Sequence, residues 1–260
     1  MRLLPLFLRR PIEAVYERRL AATLTGLPRP KHVGIMLDGN RRWARQAGHA
    51  DVREGYRAGG AKTIEFLDWC TADGIEHVTL FMLSDDNLGR PAEQLGPLIE
   101  IIEETVRGIA AAGRPWEVQV IGSLDMLPGT SAQVLKEAAA ATTGRGGLKV
   151  DVAVGYGGRR EIVDAVKSAF EEHIAAGGEP AELVERFDIE DISRHLYSPT
   201  ADHTDFIIRT SGEQRLSGFL LWQSAYAEMH WVDCYWPAFR HVDFLRALRS
   251  YASRERRFGK

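Results

Sequence analysis

The 260-residue chain has no run of about 18 apolar residues, so no segment reads as a membrane-spanning helix. Cysteine is scarce: Cys70 and Cys234 lie far apart, each among apolar neighbours. With no CxxC pair they read as reduced core residues of a cytoplasmic protein. The eight histidines show no HxxxH spacing, which argues against a structural zinc site. GxxxxGK[ST] is missing, which argues against a P-loop nucleotidase. Gly155-Tyr156-Gly157-Gly158 lacks the GxGxxG spacing of a dinucleotide fold. A basic excess is also missing. The net charge of −3 gives no broad positive field, so no nucleic-acid partner is expected. Internal repeats and low-complexity segments do not occur.

What is present is an ordinary globular composition, 45% hydrophobic and 27% charged, at a length suited to one sizeable domain. The opening segment, Met1 to Arg10, is too short in apolar residues for a signal peptide, carries Pro5 and ends in arginines. Residues 1–24 leave two readings open. They form a basic amphipathic helix making peripheral contact with a membrane surface, or they pack against their own domain. We divide the chain into an N-terminal helical segment, residues 1–30, and one domain, residues 31–260.

Strands are expected at residues 32–37, 76–83, 116–122, 148–154, 205–209 and 229–232. Helices are expected at 52–73, 91–109, 129–141, after Gly158, as two short pieces within 181–196, and at 242–251. Helices between strands imply an α/β fold with a mostly parallel central sheet covered on both faces.

Three strands end in unusual polar clusters. They are Asp38-Gly39-Asn40-Arg41-Arg42, Ser84-Asp85-Asp86-Asn87-Leu88-Gly89-Arg90, and Arg209 through Ser217. In a parallel sheet these ends share one edge, where ligands bind. Five arginines and the hydroxyls of Ser84, Ser211 and Ser217 suit diphosphate oxygens. An aspartate suits Mg²⁺, which takes few carboxylates plus phosphate oxygens. Asp38 and Asn40 could equally be a plain turn that caps a helix, with solvated arginines.

From about His32 to Arg256 the chain resembles the cis-prenyltransferases, the (Z)-isoprenyl diphosphate synthases. The resemblance is carried by Asp38-Gly39-Asn40-Arg41-Arg42-Trp43-Ala44, Ser84-Asp85-Asp86-Asn87-Leu88-Gly89-Arg90-Pro91, Gly155-Tyr156-Gly157-Gly158-Arg159, Ile208 through Gln223, and Ala225-Tyr226-Ala227-Glu228. It implies that residues 31–260 are a catalytic domain with an apolar tunnel for a prenyl chain. The implied reaction joins isopentenyl diphosphate to an allylic diphosphate through a new Z double bond. By the same resemblance, Asp38 binds Mg²⁺ and assists the leaving diphosphate. Gly39, Asn40, Arg41, Arg42 and Trp43 hold the allylic diphosphate. Arg209, Arg215 and Ser217 hold isopentenyl diphosphate, and Glu228 completes the metal environment. Ser84 and Asn87 assist proton removal, with Arg90 supporting their loop. A homodimer is implied, with Arg257 and Gly259 reaching the partner's site.

Against the family pattern, Gly55-Tyr56 stands where a histidine is common, Leu88 replaces a tryptophan, and Gly155 replaces an asparagine. Met82, at the tunnel wall, and Leu88 look like the short-chain branch that makes (Z,E)-farnesyl diphosphate from geranyl diphosphate. A long-chain polyprenyl diphosphate synthase and a catalytically silent partner subunit are the competing readings.

Overall fold

The computed structural model describes residues 6–198 and 203–254, with side chains from residue 13. Helix α1 (Leu6–Thr23) leads into β1 (His32–Met36), then α2 (Asn40–Gln46) and α3 (Arg53–Ala72). Strand β2 (His77–Ser84) runs into the one-turn α4 (Asp85–Leu88) and the long α5 (Ala92–Ile109). Next come β3 (Glu117–Ile121), α6 (Gly129–Ala140), β4 (Lys149–Tyr156) and α7 (Gly158–Ala175). The chain closes with α8 (Pro180–Arg186), α9 (Ile189–His195), β5 (Phe206–Arg209), β6 (Glu228–Trp231) and α10 (His241–Ala252). Each expected strand is present, its ends within two residues of those the apolar pattern predicts. Helix α4 was not expected; Ser84 creates it by accepting the backbone N–H of Asn87 at its start.

The six strands form one sheet in the order β3-β4-β2-β1-β5-β6, and every pairing is parallel. β1 connects outward to β2 on one side, whereas β5 connects to β6 on the other. The carboxyl ends of β1 and β5 therefore flank the switch point, where an open α/β sheet leaves a crevice.

Alternation along the strands feeds two cores. Val33, Ile35, Phe206 and Ile208 join Phe66 and Leu67 of α3, Ile102 and Val106 of α5, and Phe244 and Leu248 of α10. Met36, Ala153, Tyr156 and Ile207 face the other way, onto Phe219 and Leu220. Phe66 is fully buried and meets Trp236 and Phe244 edge-on, with centroids 5.6 and 5.2 Å away.

Helix α1 packs on α10. Glu13 bonds Arg240 at 3.0 Å, the Arg246 guanidinium lies 5.2 Å from the Tyr16 ring, and Leu20 and Leu24 enter the main core. Over residues 13–24, packing against the chain's own domain is thus the reading that holds. No described helix is long and apolar enough to cross a membrane.

Candidate active site

Asp38 follows β1 and is the hub of the carboxyl edge. Its Oδ2 accepts from Arg209 Nη2 at 2.9 Å and from Ser211 Oγ at 2.9 Å. Its Oδ1 accepts from Arg42 Nη2 at 3.1 Å. Burial alone would raise the Asp38 pKa. The donors Arg209 and Ser211, with the charges of Arg42 and Arg209, outweigh it and hold the carboxyl below its usual range. Asp38 is therefore anionic at neutral pH. Its stabilising interactions are present above the ordinary carboxylate range and are lost as pH falls through its lowered value.

Gly39 makes this placement possible. Its φ is +106°, and a Cβ there would come within 2.6 Å of the Tyr235 ring. Arg42 lies 5.4 Å from the centroid of that same ring. On the β5 side, Arg209 is 4% exposed and also donates to Ser217 Oγ at 3.0 Å and to the Arg215 carbonyl. Its Nε is buried with no hydrogen-bond partner. Glu213 bridges two cations, accepting from Arg215 at 2.5 Å and from Arg42 at 3.4 Å. The loop holding this network is strained: Ser211, Ser217 and Leu220 all have positive φ. Such conformations persist when surrounding contacts enforce them, and they cluster at working sites.

These groups line a cavity of about 510 Å³. It brings together Asp38, Gly39, Asn40, Arg41, Arg42, Met82, Ser84, Asn87, Arg90, Arg209, Arg215 and Ser217. Met36, Leu37, Arg45, Tyr56, Phe81, Asp86 and Leu98 complete the wall without having been singled out as binding residues. Arg45 had a helical signal, because it stands four residues after Arg41 and so on the same face of α2. The lining includes six arginines, Arg41, Arg42, Arg45, Arg90, Arg209 and Arg215, against two carboxylates, Asp38 and Asp86. The cavity is strongly positive although the chain as a whole is not.

Two predicted residues stand apart. Trp43 does not line the cavity and instead stacks on His49, centroids 5.4 Å apart. Glu228 opens β6 and pairs in register with Phe206, three residues before the end of β5 that carries Arg209. It forms an ion pair with Arg254 and does not meet Asp38 within one protomer. Three steps of strand, about 10 Å at about 3.3 Å per residue, account for the separation. Arg257 and Gly259 lie outside the described residues. Among the described residues no three His, Cys, Asp or Glu side chains cluster to hold a metal unaided. A lone anionic aspartate still fits Mg²⁺, provided that phosphate oxygens supply most of the ligands.

The glycine-rich turn after β4 has a packing role. A Cβ on Gly157 would fall 2.1 Å from Asp85 Oδ2, and one on Gly158 would fall 2.6 Å from the Gly218 carbonyl. The turn thus clamps α4 against the Ser217 loop. Beneath it the buried Glu161 accepts from Gln223, the Tyr197 backbone N–H and the Tyr156 hydroxyl. Burial raises its pKa despite those donors.

The comparisons agree with this geometry. A prenyltransferase family model, described as "Putative undecaprenyl diphosphate synthase", matches residues 35–259. Isoprenyl transferase 2 of Streptomyces coelicolor is 65% identical, over 97% of this chain and 98% of that protein. A (2Z,6E)-farnesyl diphosphate synthase of Thermobifida fusca is 56% identical over 97% and 98%. The enzyme of the same name from Mycolicibacterium smegmatis is 49% identical over all of both chains. The crystal structure of lavandulyl diphosphate synthase from Lavandula x intermedia, in complex with dimethylallyl diphosphate, superposes with a TM-score of 0.80. It is 30% identical, and the match covers 89% of this chain and 98% of that one. With an all-parallel sheet, a cationic crevice at its switch point and full-length relatives of one kind, this chain belongs to the undecaprenyl diphosphate synthase-like family of cis-prenyltransferases.

Proposed function

We infer that the protein condenses isopentenyl diphosphate with a short allylic diphosphate, geranyl diphosphate, to give (Z,E)-farnesyl diphosphate and free diphosphate. One observation carries this reading: the cationic cavity at the switch point continues into a small apolar chamber between α3 and α5. The diphosphates fit the first space and the hydrocarbon fits the second. A chamber of about 40 Å³ favours a short product. The names of the Thermobifida and Mycolicibacterium relatives agree.

In the reaction the allylic C–O bond breaks, the terminal isopentenyl carbon bonds to the allylic carbon, and a proton leaves the neighbouring isopentenyl carbon. Diphosphate departs with the electron pair of the broken bond. Preorganised positive charge lowers this barrier most, because the negative charge grows as the bond lengthens. Arg42 and the α2 turn at Gly39-Asn40 hold the allylic diphosphate. Arg209, Arg215 and Ser217 hold isopentenyl diphosphate, for which Arg215 and Arg42 must exchange Glu213 for phosphate oxygens. Ser84 and Asn87 take part in proton removal, with Arg90 beside them. Asp38 would hold Mg²⁺, which would add charge neutralisation for the departing diphosphate.

The protein acts as a homodimer in this reading. Strand β6 is the outermost strand on its side of the sheet among the described residues, a position from which a second chain can be met, and Glu228 opens it. Light scattering across a concentration series would return the dimer mass; a persistent monomer with full activity would remove this part. The main test incubates the full chain with Mg²⁺, labelled isopentenyl diphosphate and each allylic primer in turn. A single fifteen-carbon Z product from geranyl diphosphate is expected. A ladder of long products would assign the chain to the long-chain synthases, and no product with any primer would make it a silent subunit.

A further inference from the structure

The apolar chamber and the cationic cavity share five lining residues, Leu37, Asn40, Tyr56, Met82 and Leu98, which form the neck between them. Beyond the neck, every polar side chain of the chamber turns away from it. Thr63 donates to the Gly59 carbonyl at 2.9 Å, Trp236 Nε1 donates to the same carbonyl at 2.9 Å, and Thr105 donates to the Ile101 carbonyl at 2.7 Å. Beyond the neck the walls are mostly hydrocarbon, suited to a prenyl tail, while at the neck Asn40 Oδ1 is buried without a hydrogen-bond partner. At about 40 Å³ it has room for about three waters at about 10–15 Å³ each.

The far end closes where two helices touch. A Cβ on Gly60 of α3 would lie 2.4 Å from Thr105 Oγ1 of α5, so the Thr105 side chain occupies the place where a residue-60 side chain would begin. Just beyond, a Cβ on Gly108 would lie 3.0 Å from Ile64 Cδ1, which carries the close approach further along both helices. Thr105 is 8% exposed and its hydroxyl is bonded, so it cannot swing aside without losing that bond.

We propose that Thr105, seated against Gly60, is a specificity-determining residue that ends the growing prenyl chain, acting as a floor beyond the Met82 neck. This rests on the prenyltransferase reading above and adds a second, deeper stop to it. Removing the Thr105 methyl and hydroxyl opens space directly below the chamber. A methyl placed on residue 60 then refills that same space from the other helix.

The test compares the wild type, Thr105→Ala, Met82→Ala, the pair Met82→Ala with Thr105→Ala, and the pair Gly60→Ala with Thr105→Ala, each with geranyl diphosphate, labelled isopentenyl diphosphate and Mg²⁺. Products are sized by chromatography after removal of the diphosphate, and thermal unfolding is followed in parallel. Expected for Thr105→Ala is a shift of the major product by one isoprene unit, deepened when Met82→Ala is added. The Gly60→Ala/Thr105→Ala pair should return to the wild-type product. An unchanged product from folded Thr105→Ala, with only a lowered melting temperature, would make the seam a packing contact and overturn the proposal. A longer product that the paired variant fails to shorten would overturn it as well. The wild-type product alone judges the short-chain reading, so each idea can fail separately.

Discussion

The two edges of the sheet both carry buried polar residues, yet they differ in how those residues are satisfied. At the amino edge His32 and His77 stack with centroids 4.1 Å apart and an interplanar angle of 11°. His32 bonds Thr79 at 2.8 Å and the His203 carbonyl at 2.9 Å, while His77 sits 2.9 Å from Asp151. All of these side chains are buried. At the carboxyl edge, the Asp38 side chain is 32% exposed and that of Arg42 is 40% exposed. Arg41, Arg45 and Arg90 make no ion pair among the described residues. Buried polar chemistry that is closed on itself builds a fold; partly open chemistry with excess charge of one sign awaits a ligand.

The largest blow to this contrast should come at Asp38. Asp38→Asn keeps the shape and a hydrogen bond to Arg209 while removing the charge. Steady-state assays should show kcat reduced by about 10²–10³ or more, the scale for losing a preorganised electrostatic group. Turnover near the wild-type level would make Asp38 a mere counter-ion for Arg209. Asp38→Ala is a poorer probe, since leaving the buried Arg209 without its carboxylate costs roughly 3–5 kcal/mol.

Arg215 ranks next. It is well exposed and reaches the cavity from a loop, so Arg215→Gln should raise KM for isopentenyl diphosphate about tenfold or more, one charge-assisted bond being worth about 1.5–3 kcal/mol. The KM for the allylic substrate should stay the same, and an equal rise in both would merge the two subsites into one.

The amino edge supplies the counter-test. Burial first, and the neighbouring His77 second, push the His32 pKa down to about 4. Unfolded His32 takes up a proton near its ordinary value of about 6.5, whereas the folded residue does not until about 4. Between these values the unfolded state binds more protons, so stability falls as pH falls, by roughly 3 kcal/mol in all. Urea unfolding across this window should show the slope, and His32→Gln should flatten it. Its turnover at neutral pH should stay within about twofold; a large loss would tie the two edges together. The smallest effect is expected from Trp43→Ala, which removes a ring outside the cavity: KM values should move little.

Much of this was legible in the chain itself. The strands are rich in apolar residues because both faces of a parallel sheet are covered, and three of them, β1, β2 and β5, end in polar clusters that the parallel direction gathers on one edge. That pattern placed Asp38, Arg42, Arg209 and Ser217 at one edge, and only the resemblance to the family gave each of them a role. The role of Glu213 could not be read, because bridging Arg42 and Arg215 depends on a positive-φ loop. Phe81 and Leu98 read as core residues, since a cavity wall and a core face share one periodicity. Glu228 closes the motif Ala225-Tyr226-Ala227-Glu228, but it begins its strand instead of ending it. Register, which decides the edge, is not written in a single strand.

Leu88 and Gly155, two departures from the family pattern, meet in space. A Cβ on Gly155, whose φ is +62°, would come within 3.3 Å of Leu88 Cδ1 and 3.1 Å of the Ser123 carbonyl. A larger side chain at either position claims volume held by the other. A tryptophan at position 88 would therefore be felt first at Gly155, 67 positions downstream, where the backbone of the β4 turn meets the side chain of α4.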